Sequence, residues 1–203
     1  MANFFKRFGI DTDDPRMQRA ALYSKFSAAR MNILLLIVFS VINILSLTLG
    51  SGAFFLFTGA IPYQIVDIGM KLCGFESEEY YTQLGIAPTF DKAFLTVFIL
   101  IAVAVLTIYL LCWIFSKKRG GVWLKVALAL VSADTMAMLL GGNMNTILFD
   151  AVFHIWLIVI IFIGISSYDK LRAMPREIDE PVEEHAEEEI TESEIENSDN
   201  SEE

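Results

Sequence analysis

The chain has 203 residues, of which 55% are hydrophobic, and a formal net charge of −10. The apolar residues fall in long blocks, which excludes an ordinary soluble domain. Fourteen acids and no Lys or Arg lie beyond Arg176, leaving fifteen bases against eleven acids in the rest, so the negative charge belongs to the C-terminal tail.

Residues 1–30 form a basic cytoplasmic segment with Lys6, Arg7, Arg16, Arg19, Lys25 and Arg30. Asp13 or Asp14 before Pro15 predicts a helix start, because a carboxylate accepts free amide protons and proline fixes φ at the first turn. Met17, Ala21, Leu22, Phe26 and Ala29 share one side, as in a helix lying on anionic headgroups. The length of the basic flank and its acids argue for a signal anchor rather than a cleaved leader.

Residues 31–49 and 93–115 are runs without a charge, long enough to cross a hydrocarbon layer of roughly 30 Å. Between them, residues 51–74 contain an apolar stretch too short to span. It reads as an outer interfacial turn broken at Gly59 and Pro62, followed by a shallow amphipathic segment, with a re-entrant loop as the alternative. Residues 122–140 hold Lys125 and Asp134, and residues 147–165 hold Asp150 and His154; both have the length of a span. The expected fold is therefore all-α: a four-helix transmembrane domain over 31–172.

Thirteen of the fifteen basic residues lie before the first span, around the 116–125 turn or after the fourth span, and only Lys71 and Lys92 lie in the other two connections. That asymmetry predicts both termini in the cytoplasm. The acidic stretch 173–203 lacks apolar mass and is expected to be disordered. It is a solubilising end or a contact for a basic cytoplasmic protein or for the chain's own basic loops, and nucleic acid is not an expected partner. Cys73 and Cys112 fall on opposite sides of the bilayer, so no disulfide joins them, and no zinc spacing is present.

Asp134 lies eight residues before Gly142 and His154 eight after Thr146, which puts both about 12 Å below the outer end. Asp150 is one turn above His154 on the same face. This intramembrane polar cluster has three readings: a hydrogen-bonded pair that registers two helices, a proton- or cation-responsive site, or a divalent metal site. A single histidine is thin for metal, and neither a metal nor a cofactor is assigned. Ser132 points away from Asp134, and no GxSxG, HExxH or phosphate-binding loop occurs, so no catalytic residue is assigned and the residues point away from an enzyme.

The remaining polar and small positions read as packing. Ala129, Ala133, Ala137 and Gly141 recur every four residues and allow a close helix approach, including that of a second copy. Ser40 and Asn43 are expected to bond across helices. Trp113, Trp123 and Tyr168 suit the cytoplasmic interface, and Trp156 is expected in the core.

The stretch FSAARMNILLLIVFSVINILSL, with GSGAFFLFTGAIPY after it, resembles the opening of a group of small uncharacterised membrane proteins of Gram-positive anaerobes. The likeness covers residues 25–63, implies a bacterial plasma membrane and brings no activity. Two functions compete: a non-enzymatic interaction or accessory membrane protein, which leads, and an oligomeric proton- or ion-coupled transporter or channel using Asp134, Asp150 and His154. A side chain cluster sealed between helices favours the first, and one opening on a pathway the second.

Overall fold

A computed structural model describes residues 14–51, 54–119, 121–141 and 144–175. The helices are α1 (Pro15–Thr48), α2 (Ala60–Leu72), α3 (Glu78–Leu84), a 3-10 turn at Lys92–Phe94, α4 (Leu95–Arg119), α5 (Gly121–Gly141) and α6 (Met144–Ala173). Four of these, α1, α4, α5 and α6, contain stretches long and apolar enough to cross a membrane. The protein is thus an all-α, multi-pass membrane protein whose lipid-facing surface is made of side chains such as Leu100, Val152, Ile155 and Phe162.

Two units are distinguished along the chain. In the smaller, formed among residues 14–19 and 173–175 of the described chain, Asp14 Oδ1 accepts from the Arg16 amide at 2.8 Å and Arg19 Nη1 donates to the Pro175 carbonyl at 3.3 Å. The acidic tail lies outside the described residues. The larger unit, Ala20–Arg172, is the bundle.

Within the bundle, Ile33, Leu36, Tyr109, Leu124, Val131, Leu157 and Ile161 form one buried core drawn from all four long helices. At one end, where the basic residues gather, Phe26 packs on Tyr168 and Lys125 lies 4.0 Å from Asp169. Arg30 reaches from α1 to α4 there, with Nε donating to Ser116 Oγ at 2.9 Å and Nη2 to the Trp113 carbonyl at 3.3 Å. The Trp113 carbonyl also accepts from Ser116 Oγ at 2.7 Å, and the guanidinium adds positive charge toward the C-terminal end of α4, where the helix dipole favours it. Gly164 lets α6 meet α1: a Cβ there would collide with the Cβ of Ala29.

The opposite end is built differently. After α1 the chain does not stay on the rim of the bundle; residues 55–61 turn inward, and Phe57, Thr58, Gly59 and Ala60 are buried. From that depth α2 runs back out against α4 and α5, with Gly69 closely covered by the Phe98 ring. A capped helix, α3, follows: Ser77 Oγ accepts from the Tyr80 amide at 3.2 Å, and Gly85 closes it with φ of 63°. Cys73 and Cys112 are both free and buried.

Candidate functional site

An unwound segment inside a helical bundle has backbone amides and carbonyls that no helix satisfies, and in an apolar surrounding each costs several kcal/mol unless paired (about 1–3 by mutational measures). Here the pairs come from side chains on the long helices. Asn43 of α1 meets Phe55 as a strand would: its Nδ2 donates to the Phe55 carbonyl at 2.6 Å and its Oδ1 accepts from the Phe55 amide at 2.8 Å. Ser40, one turn earlier, accepts from the Gly59 amide at 2.7 Å and from Thr58 Oγ1 at 3.2 Å, while donating to its own helix at Leu36. The expected interhelical bond of Ser40 and Asn43 is therefore replaced by a clamp on residues 55–59, a short polar side chain being better placed for a nearby amide than for a distant helix.

The same economy extends to α5 and α6. The Phe57 amide faces the Asp150 carboxylate. Phe57 itself has φ of 74°, in the left-handed region that costs a bulky residue about 1 kcal/mol or more. Its ring is held edge-on to Phe39 and Phe153 and tilted on Trp156. Trp156 is consequently not a core residue: 47% of it is exposed, covering Phe57 from outside. Length and hydropathy alone do not separate a lipid-facing indole from a buried one.

Asp134 sits at the end of the segment. Its Oδ2 accepts from the Ala60 amide at 2.8 Å and its Oδ1 from the Ile61 amide at 2.7 Å. These are the first amides of α2, whose own N-cap position, Gly59, offers no side-chain bond. A carboxylate on another helix thus caps α2, where free N–H groups and the helix dipole both favour negative charge. Gln64 ties the next turn of α2 to the Ala137 carbonyl at 3.4 Å.

His154 joins the two acids. Its Nδ1 lies 2.9 Å from the Asp150 carbonyl and 3.7 Å from Asp150 Oδ1, and its Nε2 lies 3.2 Å from Asp134 Oδ2. A carbonyl only accepts, so Nδ1 carries a proton. The contact to Asp134 then holds one further proton, on Nε2 or on Oδ2. Moving it converts imidazolium and carboxylate into imidazole and carboxylic acid with no change in the net charge of the pair. His154 and Asp134 are each 1% exposed at the side chain, and Asp150 is 12% exposed.

The three ionisable residues are therefore brought together, along with Ser40, Asn43 and the 55–61 backbone, which no sequence motif announced. The small-residue stripe is not part of this site. Ala129 and Ala133 are exposed, Ala137 is half-buried, and α5 packs into its own bundle through Leu124, Ala127, Val131 and Met138. Among the described residues no group of three His, Cys, Asp or Glu side chains is arranged to hold a metal ion.

Comparison with family models, with curated proteins and with solved structures finds no match in any of the three. The resemblance over residues 25–63 is thus joined by no family, and what stands is the architecture: four apolar helices long enough to span a membrane.

Proposed function

We propose that this protein is a proton- or ion-coupled membrane transporter or channel, with Asp134, His154 and Asp150 as its proton-handling site and residues 55–72 as a re-entrant segment anchored on that site. The observation that carries the reading is the buried contact of His154 Nε2 with Asp134 Oδ2, 3.2 Å apart, on the carboxylate that also caps α2. Ionisable groups within a span are costly and are retained where they handle ions or protons, and non-helical backbone at membrane depth is tolerated where it is buried in protein or lines a pathway. A half-helix terminus facing a buried ionisable group is a recurrent arrangement in transporters.

Asp134 and His154 are sealed between helices, which taken alone suits an accessory role. That role explains less of the rest, because registering two helices needs one polar pair, not three ionisable groups and an unwound segment. In the proposed orientation both termini are cytoplasmic, so the 49–94 connection faces outward and Asp150 lies on the outer side of His154. Proton movement on or off the pair alters the cap of α2, which couples protonation to the position of the segment. A pathway through so small a bundle calls for a second copy, and the exposed Ala129 and Ala133 face allows one to approach closely. No enzymatic turnover is assigned.

Purified protein in liposomes with an internal pH-sensitive dye tests the proposal. Under an imposed potential the wild type should acidify the lumen, and Asp134→Asn and His154→Ala should not. Wild-type liposomes as tight as empty ones, with protons and with monovalent cations alike, would return the protein to the accessory reading.

A further inference from the structure

Asp150 Oδ1, Tyr109 OH and Trp113 Nε1 are buried polar atoms that lack a hydrogen-bond partner among the described residues. Asp150 already belongs to the site. Tyr109 does not, although it is 1% exposed and within the electrostatic reach of Asp134. Tyr109, Trp113 and Ser116 follow one another at i, i+4 and i+7 on one face of α4, and Ser116 Oγ accepts from Arg30 at the basic end. Polar groups thus continue from Asp134 past the middle of the bundle, over about 10 Å of α4.

An unpaired hydroxyl in a packed interior is a cost, and phenylalanine fills nearly the same space without it. A chain that keeps tyrosine at such a place keeps it against stability. Resting on the proton-handling reading above, we infer that Tyr109 and Trp113 form the arm along which protons pass between the Asp134–His154 pair and the cytoplasmic end. The phenol is the relay. It takes a proton on its oxygen from the Asp134 side as it gives up its own to water on the other, so it is neutral before and after and no tyrosinate forms. Indole N–H only donates, so Trp113 transfers nothing; it is a positioning residue that orients the water next to the phenol. Asp150 is the corresponding group on the outer side.

The full chain in liposomes decides the matter, with proton flux driven by a potassium diffusion potential in H2O and in D2O. Tyr109→Phe is expected to lower the flux by about tenfold or more, to raise or leave unchanged the unfolding temperature in detergent, and to change the H2O/D2O rate ratio. Trp113→Phe should lower the flux less and change the same ratio, whereas Tyr80→Phe, in α3, should change neither. Wild-type flux that persists in Tyr109→Phe overturns this arm and leaves the proposed function standing. A flux loss that comes with a lower unfolding temperature and an unchanged rate ratio overturns it too, assigning Tyr109 to packing. Absence of flux in the wild type overturns both.

Discussion

Asp134 on α5 caps a helix to which it does not belong, with its Oδ2 2.8 Å from the amide of Ala60 and its Oδ1 2.7 Å from that of Ile61. Because the N-cap residue Gly59 has no side chain to do this, the orphan amides of α2 depend on a group seventy-odd residues away in sequence. Asp134→Ala strands both amides and the facing imidazole, and should destabilise the protein in detergent by about 2–4 kcal/mol. Asp134→Asn keeps one acceptor oxygen and should cost roughly half as much. Equal losses for the two, measured by thermal or denaturant unfolding, would show that the amides are not held by the carboxylate.

Asn43 serves Phe55 with a donor and an acceptor at once, at 2.6 and 2.8 Å. A carboxamide offers both side by side on one planar group. Asn43→Asp loses the donor and Asn43→Leu loses both, so the Phe55 amide should exchange with deuterium faster in each. The expected stability loss is about 1–2 kcal/mol for Asn43→Leu. An unchanged exchange rate at Phe55 in both variants would remove Asn43 from the clamp.

The four spans were legible because they rest on length and hydropathy, which lipid imposes directly on sequence. Asp134, Asp150 and His154 were also legible as a cluster, since residue counts from the turn give depth and the i, i+4 spacing gives the shared face. What they hold was not. A backbone amide has no side-chain signature, so nothing in Ser40 or Asn43 distinguishes a bond to residues 55–59 from one to a neighbouring helix. The positive φ of Phe57 is equally silent, because glycine, which would have marked it, stands at Gly59 instead. Trp156 failed for a related reason: depth in the bilayer says nothing of whether a ring faces lipid or protein.

Cys73 provides an accessibility reporter for α2. It closes that helix, with its amide on the Gly69 carbonyl at 2.9 Å, and it is 1% exposed despite lying in a connection between spans. A membrane-impermeant maleimide should therefore label it slowly or not at all in the wild type. Labelling should accelerate at least about tenfold in Asp134→Ala if loss of the cap releases the helix. Prompt labelling of the wild type would contradict the burial, and slow labelling of both would separate α2 from its cap.

Gly164 is required by the approach of α1 to α6. An added methyl collides with Ala29, whose Cβ lies opposite on a rigid helix rather than at the end of a flexible side chain. Gly164→Ala should lower stability by about 1–3 kcal/mol despite the better helix propensity of alanine. A neutral or stabilising result would mean that the helices part at little cost.

The coupling between Asp134 and His154 can be measured apart from either residue's other bonds. Asp134 also holds two amides, and His154 Nδ1 also faces the Asp150 carbonyl at 2.9 Å, so single replacements overstate the bond between them. A double-mutant cycle subtracts those terms. The bond itself, at 3.2 Å between groups each 1% exposed, should appear as about 1–2 kcal/mol of non-additivity, the upper end for polar contacts between membrane helices. Asp134→Ala with His154→Ala is the informative pair, because neither replacement leaves a side chain that can bond the other partner. If the losses add, the proton between Nε2 and Oδ2 binds neither partner to the other. The cap on α2 and the imidazole would then be two independent features, and protonation of His154 would have no means of moving residues 55–61.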